Sequence, residues 1–483
     1  MVIDALKYQI LQQFGFVPTE EQGQALDAFA RFLTDRVPHA VMILRGSAGT
    51  GKTSLSGAIV RTLKAIRQKV MLLAPTGRAA KVFSLNSGCP AYTIHRRIYR
   101  EKSFAGVDGQ FNLNDNLFTD TLFMVDEASM ISNLGLGGGN FGSGCLLDDL
   151  VRFVYQGHND RLMLIGDKAQ LPPVGEEESP ALNRMMLEGY GLKVYECDLN
   201  EVLRQSQESG ILYNATVIRQ MITHDDITQL PLIRFKGFAD IVMMPGNELV
   251  ESLANSYYRV GQDETMVITR SNKRANIYNN GIRNMVLDRE DELSCGDMLM
   301  IVKNNYFWTE KERNEAKEAL NAIPPFLANG DRAKVLRVSR HMELYGFRFA
   351  TLLLQFPDYD NYEMSVTALL DTLQSEAPAL THEQQEQLFH GVEEDYQDVP
   401  LKADRMKAIR GDQYFNALQV KYAYAITCHK AQGGQWEHVY VDQGYMTDDM
   451  LTPDYIHWLY TAFTRAKGKL FLVNWPKTQT EQA

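Results

Sequence analysis

Two groups of residues in this sequence have the types and spacing that phosphate chemistry needs. Gly46-Ser-Ala-Gly-Thr-Gly51-Lys52-Thr53 spells G-x-x-x-x-G-K-T. Glycines at that spacing let backbone N–H groups turn inward around phosphates, a lysine adds positive charge at their β/γ end, and a threonine hydroxyl reaches a divalent cation. Gly46, Ala48, Gly49, Thr50, Gly51, Lys52, Thr53 and Ser54 are therefore expected to cradle a nucleotide. Leu122-Phe-Met-Val125 then delivers two acids, Asp126 and Glu127, at the end of an apolar run. Such a pair is common by itself, but downstream of a phosphate loop it gains meaning. Asp126 is expected to hold Mg²⁺ together with Thr53, and Glu127 to position or activate an attacking water. The chemistry implied is hydrolysis of a nucleotide with Mg²⁺.

These groups need elements that bring them to one place. Val41–Leu44, Val70–Leu73, Leu122–Val125 and Leu162–Ile165 are continuous apolar runs, the pattern of strands buried on both faces of a parallel sheet. Each is followed by a polar or Gly-rich turn, where α/β folds place their ligands. A second set begins near Met266–Ile268 and resumes at Tyr422–Ile426, Val439–Val441 and Leu470–Val473, so two α/β domains are expected. Short strands are expected over Ala333–Val338 and Phe347–Leu354, and a hairpin around Phe104, Phe111 and Phe118. Residues 134–144 form a Gly-rich, mobile loop in this reading. Residues 376–400 hold seven acids and no Lys or Arg, the composition of a solvated face or a mobile insertion.

Composition narrows the field. The 483 residues carry 49 Lys plus Arg against 60 Asp plus Glu, a net charge of −11, which argues against a protein coated in basic surface but leaves room for a local basic groove. The five cysteines are scattered and form no C-x-x-C pair, so a disulfide scaffold and a zinc knuckle are not expected and a reducing, cytoplasmic compartment is. No signal peptide and no stretch of the roughly 18 apolar residues needed to span a bilayer are found.

Further segments resemble a known family. Asp126–Met130, Gly166-Asp-Lys-Ala-Gln170-Leu-Pro-Pro-Val174 and Tyr460-Thr-Ala-Phe-Thr-Arg465-Ala-Lys467 are similar to motifs II, III and VI of superfamily 1 helicases. Thr427-Cys-His-Lys-Ala-Gln-Gly433-Gly434 is similar to the motif V region of the RecD-like, or 1B, branch, which includes Dda- and Pif-type enzymes. The matching segments run in the family's order from about Gln22 to Lys467. The resemblance implies an α/β fold of two tandem RecA-like P-loop domains, with a small hairpin insertion in the first and an SH3-like β insertion in the second. The boundaries implied are 1–205 for the first domain with its hairpin at about 97–120, 206–300 and 421–483 for the second, and 301–420 for the insertion with its acidic extension 376–400.

The same resemblance assigns roles. Gln22 would read adenine and Gln170 would sense the γ-phosphate. Arg204 and Arg465 would reach that phosphate from the second domain like an arginine finger in cis. Gly433 would belong to the nucleotide-binding set. Pro75, Thr76, Gly77, Arg78 and His95 in the first domain, and Thr427, His429 and Lys430 in the second, would hold a single strand through its backbone, with Phe104 and Phe111 on a wedge where the duplex parts. The implied protein is a monomeric ATP-dependent DNA helicase translocating 5′-to-3′ on single-stranded DNA. It would act at single-strand/duplex junctions, with repair or recombination proteins as partners and no membrane. Two alternatives stay open: an RNA helicase, since 2′-OH contacts cannot be read from sequence, or a helicase subunit of a nuclease or repair assembly that does not unwind alone.

Overall fold

In the computed structural model, which describes residues 2–104, 109–135, 142–201, 208–224, 229–315, 323–324 and 326–481, the expected strands assemble into two parallel sheets. The chain enters through β1 (Ala40–Gly46), β2 (Lys69–Ala74) and β3 (Ala91–Thr93) and leaves the sheet for a hairpin of β4 (Tyr99–Phe104) and β5 (Gly109–Leu113). It returns as β6 (Thr121–Val125), β7 (Arg161–Gly166) and β8 (Lys193–Leu199). The six-stranded order is β3-β2-β6-β7-β1-β8, parallel throughout. Strands β1, β6 and β7 are buried along their whole length, as continuous apolar runs between two helical layers must be. The sequence pattern misses β8 because Lys-Val-Tyr-Glu-Cys-Asp-Leu alternates, the signature of an edge strand with one wet face.

The second sheet starts with β9 (Ile241–Met244) and β10 (Thr265–Thr269). The chain then builds a closed barrel from β11 (Met298–Ile301), β12 (Arg332–Leu344), β13 (Phe347–Phe356), β14 (Tyr362–Leu369) and β15 (Leu418–Tyr422). It returns through β16 (Ala425–Thr427), β17 (Trp436–Asp442) and β18 (Ala466–Val473). The order β16-β10-β17-β18-β9, again parallel, repeats the first sheet without a counterpart of β8. These are two tandem RecA-like folds with a hairpin in the first and a five-stranded barrel inserted in the second.

The expected single strand Tyr422–Ile426 is divided. Tyr422 ends the barrel strand antiparallel to β11, whereas Ala425 opens a sheet strand parallel to β10. One apolar run serves two cores, and Asn279 makes the crossing affordable. Its Oδ1 accepts from Tyr424 N (3.1 Å) and Ala425 N (2.8 Å), while its Nδ2 donates to Ala425 O (3.0 Å), so the buried backbone keeps its partners.

The acidic stretch folds largely as a helix with a solvated face. Thr381 and Gln384 form a capping box that starts helix His382–Asp395. That helix buries Leu388, Phe389 and Val392 in a cluster with Phe347 and Phe349 of β13, leaving Glu383, Glu386, Glu394 and Asp395 exposed. Of the Gly-rich 134–144 loop, residues 136–141 lie outside the described residues. On its leading side, Glu176 Oε1 accepts from Ser132 Oγ, Asn133 N and Leu134 N at 2.7–3.0 Å. All five cysteines are free thiols. Among the described residues no helix is long and apolar enough to cross a membrane.

Candidate functional site

Strand β1 ends at Gly46, and the loop beyond it bends through Gly49 (φ 79°) and Gly51 (φ 80°) into helix Lys52–Ala65. Both angles lie in the left-handed region that glycine alone enters freely. Gly46 is required for a different reason: a Cβ there would lie 2.8 Å from Thr50 Oγ1 and from Lys52 Cγ. Lys52 Nζ folds over the loop and donates to Gly46 O and, at 3.0 Å, to Ser47 O. Gln22 is buried beside it. Its Oε1 accepts from Thr19 N (3.0 Å), completing a capping box on helix Glu20–Thr34, and its Nε2 donates to Thr50 O (2.9 Å). Gln22 thus braces the phosphate loop, with both ends of its amide engaged.

Asp126 and Glu127 arrive at the end of β6. Asp126 N extends the sheet to Leu73 O (3.0 Å), and Asp126 Oδ1 accepts from Glu127 N (2.9 Å). Glu127 itself is held at φ 52°, a left-handed conformation uncommon for a side chain of that kind. Burial, with the neighbouring Glu127 carboxylate, pushes the Asp126 carboxyl up to about 7, while Lys52 pulls it down. A divalent cation would relieve this crowding of negative charge. Asp126 and the exposed Thr53 offer the few oxygen donors that Mg²⁺ takes when phosphate and water supply the rest, so the residues present fit the ion.

The second domain meets this loop through a seam of short hydrogen bonds. The segment Asp167–Leu171, which follows β7, carries most of it. Tyr460 Oη donates to Asp167 Oδ2 (2.6 Å) and accepts from the phosphate-loop amide Ala48 N (3.0 Å). Leu171 N donates to Thr461 Oγ1 (2.7 Å), Gln432 Nε2 donates to Leu171 O (2.8 Å), and His457 Nδ1 donates to Ala169 O (2.9 Å). Gln170 lies inside the seam, and its Oε1 is buried without a hydrogen-bond partner among the described residues. Arg465 is buried too. It donates to Thr461 O, Gly434 O and Thr464 Oγ1 at 3.1–3.2 Å, all within its own domain. Arg204 lies outside the described residues.

At the other end of the cleft a cavity of about 370 Å³ is lined by Pro75, Thr76, Gly77, Arg78, His95, His429 and Lys430, together with Asn304, Phe326 and Asn329 of the inserted segment. Lys430 Nζ is buried there without a hydrogen-bond partner among the described residues, and burial lowers the affinity of its ammonium for the proton. Burial also takes His95 down to about 4, so its ring is neutral at pH 7. Arg78 does not point freely into the cavity. Its guanidinium lies 4.3 Å over the Trp436 ring and donates to Gln435 O (3.2 Å), while Arg332 of the barrel approaches the same ring at 5.8 Å. One indole thereby joins both sheet domains and the barrel. Gly77 lets the segment Ala328–Asp331 approach closely, since a Cβ there would lie 2.9 Å from Ala328 Cβ and from Asp331 Oδ1.

Thr427 is not among the lining residues; it precedes the short helix Cys428–Ala431 as its cap residue. Gly433, expected near the nucleotide, packs instead beside that cavity, where a Cβ would lie 3.1 Å from Ala79 Cβ and 3.3 Å from Thr76 Oγ1. Phe104 and Phe111 fall on the paired strands of the hairpin, with their side chains outside the described residues.

The AAA domain family matches residues 19–228, and the UvrD-like helicase C-terminal domain matches residues 422–473. Over 157 residues the chain is 31% identical to the ATP-dependent RecD2 DNA helicase of Deinococcus radiodurans, an alignment covering 32% of this chain and 18% of that protein. The chain thus carries an AAA domain and a UvrD-like helicase C-terminal domain, and is similar over part of its length to a RecD-like helicase. A second relative, the uncharacterized protein MJ1519 of Methanocaldococcus jannaschii, is 33% identical over 171 residues, covering 33% of this chain and 14% of its own. The chain thus spans less than a fifth of either relative. The Pif1 helicase from Bacteroides, solved with ADP-AlF₃ and ssDNA, is 14% identical with a TM-score of 0.47, over 97% of this chain and 95% of that one.

Sequence reasoning missed several residues of this seam. Tyr460, Thr461 and Gln432 lie inside segments singled out for their resemblance, where attention went to Arg465, His429 and Lys430. Arg219, on helix Gly210–His224, donates to Ser47 Oγ in the phosphate loop at 2.6 Å. No sequence signal marks it, because an arginine on an amphipathic helix looks like surface.

Proposed function

We propose that the chain is an ATP-dependent DNA helicase that moves 5′-to-3′ along single-stranded DNA, hydrolysing ATP to ADP and phosphate between its two RecA-like domains. Residues 1–205 would be the first of these, 206–300 with 421–483 the second, and 301–420 the inserted domain. The observation that carries the reading is the Asp167–Leu171 segment. It begins at the strand beside β1 and is bonded through Tyr460, Thr461, Gln432 and His457 to the domain that also holds His429 and Lys430. A change at the phosphates is therefore felt in the placement of strand contacts.

In the cradle, Lys52 exchanges its loop carbonyls for phosphate oxygens. Glu127 orients the attacking water and takes its proton as the new P–O bond forms and the bond to ADP breaks. Gln170, with its unpaired buried oxygen, turns toward the same water or phosphate. Bound Mg²⁺, held by Thr53 and Asp126, supplies charge neutralisation at the phosphates. Arg204 and Arg465 contribute charge from the second domain once the cleft closes. At the strand end, a neutral His95, an exposed His429 and the buried Lys430 ammonium suit backbone tracking with base stacking, independent of sequence. Five free thiols fit a reducing, cytoplasmic setting.

The test is strand separation with ATP on two partial duplexes, one with a 5′ single-stranded tail and one with a 3′ tail. Unwinding of the 5′-tailed duplex alone is expected. Unwinding only from the 3′ tail would overturn the polarity, and unwinding of neither with DNA-stimulated turnover would make the chain a translocase that needs a partner.

A further inference from the structure

The tip of the phosphate loop is touched by two side chains of the second domain. Tyr460 takes Ala48 N–H, and Arg219 reaches Ser47 Oγ at 2.6 Å. Arg219 is carried rigidly. Its neighbour Ile218 is fully buried in the second domain's core with Ile211 and Ala215. The helix start is fixed by Gly210 N to Asp240 Oδ1 (2.8 Å), and Asn214 exchanges hydrogen bonds with the backbone of Arg234 (2.9 Å each). The remaining contacts of the guanidinium are long, 3.4 Å to Asn200 Oδ1 and 3.4 Å to Asn200 O. Among the described residues no carboxylate pairs with it. Arg465, by contrast, has its donors engaged inside its own domain.

We propose that Arg219 is a catalytic arginine for the terminal phosphate of the nucleoside triphosphate, with Tyr460 as the positioning residue that ties the loop tip and the Asp167 segment to one hydroxyl. The inference rests on the ATPase reading above and deepens it. A guanidinium fork with one strong bond, to a neutral hydroxyl, and no counter-ion among the described residues is poised to trade that hydroxyl for an anionic oxygen, which forms shorter and stronger bonds. As water oxygen bonds to the γ-phosphorus and the bridging oxygen departs with its electron pair on ADP, the water proton passing to Glu127, the transferred group carries the charge that Arg219 would neutralise. Because Arg219 moves with the second domain, the domain's position reports whether a γ-phosphate is present.

The experiment compares wild type with Arg219→Ala, Arg219→Lys and Lys52→Ala in the full chain, measuring oligo(dT)-stimulated turnover together with binding of ADP and of a non-hydrolysable ATP analogue. Arg219→Ala is expected to lower kcat about 10³-fold, the lower end of the range for arginine fingers. It should also erase about tenfold of the preference for triphosphate over diphosphate while ADP binding stays as in wild type, since a hydrogen bond to a charged group is worth that much. Arg219→Lys is expected to fall between them. A merely structural arginine would weaken both nucleotides together. Retained kcat, or an unchanged preference for triphosphate, overturns the proposal. If Arg219→Ala does not fold, Arg219→Gln carries the same test. Absence of turnover in wild type would instead overturn the ATPase reading itself.

Discussion

The two parallel sheets share one winding but not one loop. In each, the first strand of the domain enters beside the fifth and is followed directly by a helix. After β1 the connection is Ser47–Gly51, with two left-handed glycines and Lys52 at the helix start. After β9 it is Pro245 and a single tight turn, Gly246–Glu248, before helix Leu249–Arg259. There Gly246 N is tied to Asn474 Oδ1 (2.7 Å), and Glu248 brings a negative charge. The same topology therefore makes a phosphate cradle once and a plain turn once. What the second domain brings to that loop is not backbone but side chains: Tyr460 and Arg219, delivered by helices Pro453–Phe463 and Gly210–His224.

The largest expected effect breaks that contrast at its source. Lys52→Ala should reduce ATP turnover by about 10³-fold or more, the scale on which phosphoryl transfer loses a stabilising cation. Glu248→Lys, which puts a lysine into the sister turn, should leave the same steady-state assay unchanged. Equal effects of the two would mean that the loops are not functionally distinct.

A smaller effect is expected at the strand end, where Asp331 of the barrel is fully buried beside Gly77. Its Oδ2 accepts from Ala328 N (2.7 Å) and Tyr359 Oη (2.8 Å). Burial, reinforced by Asp358 and opposed by Lys81, raises this carboxyl from 3.8 to about 7. A raised folded value means that its contribution to stability is full below about pH 4 and is lost as pH climbs through about 7. Asp331→Asn keeps one acceptor for both bonds and cannot ionise. The variant should flatten the stability profile across that window, by no more than about 4 kcal/mol for three pH units. Urea midpoints collected across the window check it, and parallel profiles for variant and wild type would refute the assignment.

The seam between the ends should respond least. Thr461→Val removes the acceptor of Leu171 N at nearly constant volume and strands a buried donor, for about 1–3 kcal/mol. Denaturant unfolding should register that loss, and the ratio of DNA-stimulated to basal turnover should fall with it. An undiminished ratio would mean that the Asp167–Leu171 segment does not carry the coupling.

Much of this architecture was legible because the relevant signals are local. A G-x-x-x-x-G-K-T loop after an apolar run, and two acids after another, need only strand order to become a site. Among the strands left unmarked were β3, three residues long, β8 with one wet face, β9, whose four residues are too few to show a period, and β14 (Tyr362–Leu369) of the barrel. The apolar stretch 422–426 was read as one strand because hydrophobicity does not say which of two cores a residue serves; the buried Asn279 decides that, and its effect is non-local. Arg78 was legible as a cation but not as a partner of Trp436, which lies far along the chain. Arg219 was invisible for the same reason. Its role is set by which helix packs against the phosphate loop, a fact of tertiary structure that no spacing encodes.

The most direct test of a coupled nucleotide cradle and strand cavity is ATP turnover by the purified chain, measured with and without a saturating oligo(dT) strand and repeated with Lys430→Ala. Turnover that rises with the strand, and rises less when the buried Lys430 ammonium is removed, is the expected result. Turnover indifferent to the strand in both proteins would contradict the coupling of the two ends.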